Sequence, residues 1–223
     1  QAELCRLFTE EAVKFIEKHK DGPFFVYLPH AFVHGPRKAS PAFMAKAKTV
    51  EEAQVEEVDW SAGQILEAVR KAGIEKDTFV LFTSDNGGAG GLSSAPLRGG
   101  KGSAWEGGVR EPTIAWWPGQ VPAGSVCKEI ASTMDLLPTF AKWAGGKVPD
   151  DRVIDGKDVG DLFLGKPGAK TPHDRFFYHQ QDNLRAVRSG PWKLFRNGPL
   201  YNLDEDLGEK MNVAAKRPGV VKR

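Results

Sequence analysis

The chain has 223 residues, 40% of them apolar and 27% charged, which suits one large globular domain or a larger and a smaller one. Its 31 basic residues stand against 29 acidic ones, a formal net charge of +2, and this excludes the dense positive footprint of a nucleic-acid binder or a polybasic membrane patch. No apolar run reaches membrane-spanning length, and no signal peptide lies within this chain. Both ends are expected to be cuts, since Gln1 stands a few residues before a helix without a methionine and Val220-Val221-Lys222-Arg223 stops where a helix should continue. Cys5 and Cys127 fall in no metal-binding or redox spacing and read as packing residues, with a distant disulfide left open.

Taken in chain order, the first expected element is a helix capped by Thr9, with Glu10 and Glu11 in its first turn and Ala12, Phe15 and Ile16 at helical spacing. It runs to a basic end at Lys18 and Lys20, and Asp21-Gly22-Pro23 stops it. Phe24 to Leu28 is continuously apolar and reads as a buried strand, followed by a loop with His30 and His34-Gly35-Pro36. A long helix is predicted from Val50 to Lys71, its apolar face made of Val55, Val58, Ala62, Ile65, Leu66 and Val69. The central strand, Phe79 to Thr83, ends abruptly at Asp85-Asn86-Gly87-Gly88. The glycine-rich stretch from Gly87 to Gly108 is too long for a turn and is a candidate functional loop, carrying Arg98, Lys101 and Glu106. A third strand follows at Thr113 to Trp117, and a helix at Asp135 to Ala144 is entered from Ser132-Thr133. A Gly-, Asp- and Pro-rich stretch up to Pro172 divides residues 1–170, part of a catalytic domain, from a small unit at 171–223. In that unit Arg175 to Tyr178, Leu184 to Arg188, Trp192 to Phe195 and Leu200 to Leu203 suggest a small antiparallel sheet.

The alternation of strand and helix before Pro172 argues for an α/β layer with parallel neighbours. Three wholly apolar strands make a thin sheet, so further strands and helices are expected outside this chain.

Chemistry concentrates beyond the strand ends, where ligands bind in open α/β sheets. The Asp85 carboxylate and the Asn86 carbonyl offer oxygen ligands to a hard cation, although Asp, Asn and Gly together also make an ordinary turn. His30 and His34 are flanked by Pro29 and Pro36, which excludes a shared helical face and hence a zinc helix motif; a plain loop histidine is the alternative. Lys101, between Gly100 and Gly102, reads as an anion clamp or as a surface lysine, and its spacing is not that of a P-loop.

Together these blocks resemble the sulfatase family, in its arylsulfatase branch of the alkaline-phosphatase-like superfamily. The resemblance rests on Pro23 to His30 with His34-Gly35-Pro36, Phe82 to Gly88, Pro96 to Gly102, Trp105 to Pro112, Asp135 to Thr139, and Leu200 to Asn212. It implies an alkaline-phosphatase-like mixed sheet flanked by helices, with a small C-terminal antiparallel sheet. It also implies a sulfuric ester hydrolase acting on a sulfated small molecule or carbohydrate, periplasmic or secreted. Asp85 and Asn86 are similar to metal ligands, with Ca2+ expected and Mg2+ the alternative. Lys101 matches the lysine that holds a sulfate oxygen and His34 the histidine near the bridging ester oxygen, with His30, Arg98 and His179 as further substrate contacts. The family's nucleophile is a formylglycine made from Cys or Ser in a Cys/Ser-x-Pro-Ser-Arg motif, accompanied by two aspartates, and none of these is in the chain. Cys5-Arg6-Leu7-Phe8 is not that motif, and Ser94-Ala95-Pro96-Leu97-Arg98 has Leu97 where the motif needs Ser. The expectation is therefore the C-terminal portion of a sulfatase, inactive by itself. A phosphate or phosphonate ester hydrolase of the same superfamily, or a non-catalytic homologue, is the alternative.

Overall fold

The structure is a computed structural model and describes residues 2–223. Its elements in order are α1 Leu4–His19, α2 Pro41–Met44, α3 Val50–Lys71, β1 Val80–Thr83, α4 Glu106–Val109, β2 Thr113–Trp116, α5 Leu136–Trp143, α6 Gly160–Phe163, β3 Phe176–Gln180, β4 Asn183–Ser189, β5 Trp192–Phe195, β6 Leu200–Asn202 and α7 Pro218–Lys222. The chain divides into two compact units: one runs to Phe82 and takes in Ile114–Gln120, and the other comprises Thr83–Thr113 and Val121–Arg223.

In the first unit α1 packs on α3. The first helix starts at Leu4, not at Thr9: Thr9 is inside it, and its hydroxyl donates to the Cys5 carbonyl one turn back at 2.7 Å instead of capping an end. The buried stripe is Cys5, Thr9, Ala12 and Ile16. Helix α3 has its expected bounds, and its cap is Thr49, whose hydroxyl accepts from the Glu52 N–H at 3.1 Å. Its buried face departs from the expected apolar one. Val55 is 47% exposed, whereas Gln54, Glu57 and Ser61 are buried with Ala53, Ala68 and Val69. Polar residues take the interior where they find hydrogen bonds: the Glu57 carboxylate accepts the Ser40 N–H at 2.9 Å, and Gln54 Nε2 donates to the Lys38 carbonyl at 3.1 Å, while Gln54 Oε1 has no partner among the described residues.

Strands β1 and β2 form a two-stranded sheet. The expected strand at Phe24 to Leu28 is extended but joins no sheet, and alternation leaves Phe25 70% and Tyr27 78% exposed while Phe24, Val26 and Leu28 are half-buried. The reading of Phe24 to Leu28 as a buried strand is corrected, because an apolar segment is buried only where another element faces it.

In the second unit β3-β4-β5-β6 form the expected antiparallel sheet. Its core is Tyr178, Ala186, Phe195, Tyr201 and Leu203, against which Trp105 and Val109 pack. A second anchor is Asp135, fully buried. Its carboxylate accepts from the N–H groups of Ser132 and Lys157, both at 2.8 Å, and from His173 Nε2 at 2.9 Å. Thr139 continues the network, donating to the Asp135 carbonyl at 2.7 Å and accepting from the Val159 N–H at 3.0 Å. The Asp135 to Thr139 block is thus a structural hub at the start of α5. Both cysteines are free. Cys5 is a packing residue, and burial pushes its thiol up to about 11, whereas Cys127 is exposed. Among the described residues no helix is long and apolar enough to cross a membrane.

Candidate functional site

Asp85 and Asn86 follow directly on β1, and glycine backbones tie them to the loop that carries Lys101. The Gly87 N–H donates to the Gly108 carbonyl at 3.1 Å, and the Lys101 N–H donates to the Gly88 carbonyl at 3.0 Å. The approach is close enough to require glycine, since a Cβ on Gly87 would lie 1.8 Å from the Gly107 carbonyl oxygen and one on Gly107 would lie 2.6 Å from that of Arg98. Ser94 stitches the same layer, accepting from the Gly88 N–H at 2.9 Å and donating to the Gly107 carbonyl at 2.7 Å. The structure therefore ties the glycines that follow Asp85 and Asn86 to the main chain of the Lys101 loop.

Their side chains are uncommitted. Asp85 and Lys101 are exposed, Asn86 is half-buried, and none of the three has a side-chain hydrogen bond or ion pair among the described residues. Glu111 lies near: its carboxyl is pushed up by burial and by the Asp85 charge, against the pull of a backbone hydrogen bond. The Asp85 carboxylate and the Asn86 carbonyl are oxygen donors of the kind hard cations take. The donor set fits such an ion, although two ligands fall short of the roughly six to eight that calcium takes. Among the described residues no group of three or more His, Cys, Asp or Glu could hold a metal.

Two contacts brace the Lys101 loop. Gln180, at the end of β3, donates from Nε2 to the Gly102 carbonyl at 3.0 Å. Arg98 donates from Nη1 to the Glu209 carbonyl at 2.8 Å and stacks its guanidinium 3.7 Å from the centre of the Trp105 ring. His179 is exposed on β3 at a bulge in its pairing with β4.

His30 and His34 belong to the first unit. His34 is exposed, and its Nδ1 lies 2.9 Å from the Gly35 carbonyl. A carbonyl only accepts, so Nδ1 carries the proton and Nε2 is left to a partner. For His30, proton counting fixes the opposite tautomer. Thr9 gives its hydroxyl proton to Cys5, so in the 2.5 Å contact with Ser61 the donor is Ser61, which can then only accept from His30 Nε2–H at 3.1 Å. His30 Nδ1 is left as a buried lone pair with no hydrogen-bond partner among the described residues, and burial pulls the ring's pKa below its ordinary value.

Sequence reasoning places Glu106 in the candidate loop but misses Gln180, Glu111 and the two buried charges that meet Glu106, Lys193 and Glu209. Of these, Lys193 carries a signal: a lysine inside the apolar run Trp192-Lys193-Leu194-Phe195, at period two from buried Phe195.

The family model described as Sulfatase matches residues 3–146. The chain is 39% identical to human arylsulfatase D over 214 residues, covering 88% of this chain and 36% of that protein. It is 41% identical to mouse N-acetylgalactosamine-6-sulfatase over 204 residues, covering 86% and 38%. Among solved structures it superposes on a sulfatase from Pseudoalteromonas sp. with a TM-score of 0.87 at 25% identity, covering 99% of this chain and 51% of that one. The chain thus spans a little over a third of the length of these curated relatives.

Proposed function

This chain belongs to the sulfatase family, and from that premise we propose that it forms part of a longer enzyme that hydrolyses sulfuric esters, R–O–SO3 to R–OH and sulfate. The observation that carries the reading is the main-chain link between the Asp85-Asn86 segment and the Lys101 loop, with all three side chains uncommitted. Sulfatases use a metal ion. Here Asp85 and Asn86 would hold it, calcium before magnesium, and it would neutralise charge on the sulfuryl oxygens. Lys101 presents an ammonium on a glycine-flanked loop, suited to binding a sulfuryl oxygen throughout the reaction. His34, with Nδ1–H committed to Gly35, has Nε2 available; as an imidazolium it carries a second proton, on Nε2, and gives that one to the leaving oxygen. His30, Arg98 and His179 are proposed as further substrate contacts. A formylglycine nucleophile comes from outside this chain. The substrate is a sulfated small molecule or carbohydrate, the latter supported by a relative named for N-acetylgalactosamine 6-sulfate, and the enzyme is periplasmic or secreted.

The test is the leaving-group dependence in the full-length protein. Lys101→Ala lowers kcat/KM about a hundredfold or more for every sulfate ester. His34→Ala lowers it by about a hundredfold or more for alkyl and sugar sulfates, but little for nitrophenyl sulfate, whose phenoxide leaves without a proton. Equal losses across leaving groups of widely different basicity remove His34 as the acid. No turnover of any sulfate ester by the wild type removes the reading itself.

A further inference from the structure

We propose that Lys193 and Glu209 are positioning residues for Lys101: a buried charge cluster in the C-terminal sheet fixes the neck of the loop that presents the ammonium to sulfate. The inference rests on the reading of Lys101 as an anion-binding group. Lys193, on β5, is 0% exposed, with Nζ 2.8 Å from Glu106 Oε1 and 3.0 Å from Glu209 Oε1. Glu209 Oε2 accepts the Glu106 N–H at 2.6 Å, and the Glu209 carbonyl accepts from Arg98 at 2.8 Å. Arg98 precedes Lys101 and Glu106 follows it, so both sides of the loop are tied to one residue, Glu209. The neck is closed between them by the Gly107 N–H donating to the Arg98 carbonyl at 2.8 Å. Glu209 itself has a φ of 50°, a left-handed conformation that side chains other than glycine rarely adopt.

Three buried charges are a poor route to a stable core, because an apolar set of the same volume often does as well or better. What charges add is a single register, since any slip of the loop against β5 leaves a buried charge unpaired. Exposed ion pairs do not have that power. Lys101 gains from it because an ammonium on a long side chain in a glycine-rich loop must be localised before it can favour a transition state, and small displacements at such a group are costly in rate.

The experiment uses the full-length protein and two variants. Lys193→Met/Glu106→Gln/Glu209→Gln removes the charges, keeps the volume and leaves each amide one acceptor oxygen, while Glu209→Gln alone is milder and serves where the triple variant does not fold. Hydrogen exchange at the Lys101, Gly107 and Gly108 amides is read against Val69 in α3, and kcat and KM are measured in Lys101 and Lys101→Ala backgrounds. The expected result is exchange at the loop amides faster by about tenfold or more with Val69 unchanged. With it, kcat/KM falls about tenfold or more in the Lys101 background but less than about threefold once Lys101 is alanine, the signature of coupling. Unchanged exchange, or equal losses in both backgrounds, overturns the proposal. If the wild type cleaves no sulfate ester, the sulfatase reading has failed instead, and the exchange measurement still decides whether the cluster holds the loop.

Discussion

In the C-terminal sheet the interior holds a lysine and two glutamates, Lys193, Glu106 and Glu209, buried among Tyr178, Phe195 and Tyr201. In the first unit, apolar residues of the strand-like segments face outward: Tyr27 is 78% exposed, and Ile114 on β2 is 64% exposed. Burial in this molecule therefore follows neighbours and partners more closely than residue type. A charge goes inside where opposite charge and hydrogen bonds meet it, and an apolar side chain stays outside where no element faces it.

Taking away a partner should cost the buried cluster most. Lys193→Met alone leaves Glu106 and Glu209 buried together without their ammonium, and stability of the full-length protein falls by about 3 to 5 kcal/mol in denaturant unfolding. A loss near zero would mean that the carboxylates reach water or take up protons freely. Next in size is Asp135→Asn. The amide keeps one acceptor oxygen where the carboxylate had two, so one of the donors from Ser132, Lys157 and His173 loses its bond, at a cost of about 2 kcal/mol.

The buried cluster should also respond to pH, through Glu209. Burial raises its pKa most, the Glu106 N–H and Lys193 pull it back, and the net direction is upward from 4.5. The native state then holds this proton more tightly than the unfolded chain does. That contribution is fully present below the ordinary value and disappears as pH climbs through the raised one. Glu209→Gln cannot titrate, so the stability advantage of wild type over variant should be greatest in acid and shrink with rising pH. An advantage that grows with pH would show the Lys193 attraction outweighing burial.

The sequence made the fold readable where pattern and local chemistry agreed. Thr49 before Val50, with Glu52 three residues on, marks the start of α3, and turn residues separate β3 to β6 almost where the structure does. Asp85, Asn86 and Lys101 were legible because polar residues at a strand end and a glycine-flanked lysine stand out by type. The misreadings share one cause. Local pattern makes Thr9 a cap, draws the α3 face through its valines and makes Phe24 to Leu28 a buried strand, because composition carries no information on which element lies opposite. Thr9 and Ser61 are buried because they bond each other at 2.5 Å across two helices, a pairing no local window contains. Lys193, Glu106 and Glu209 are likewise invisible as a set, since they meet only once β5 and α4 have packed.

The smallest expected effect tests the exposed half of the comparison. Tyr27 alternates with half-buried Val26 and Leu28, so its ring lies on the outward side of an extended segment that joins no sheet. Ile114 occupies the equivalent outward position on β2. In this chain, Tyr27→Ser and Ile114→Thr remove little buried area, and each should change stability by less than about 0.5 kcal/mol. In the full-length protein, if added elements cover these positions, the same Ile114→Thr deletes a buried methyl and buries a hydroxyl, and the cost should rise to about 2 kcal/mol. Measuring both substitutions in both lengths of chain separates the cases. A cost of about 2 kcal/mol already in the short chain would mean that these side chains are packed there, and the contrast between the two regions would be lost.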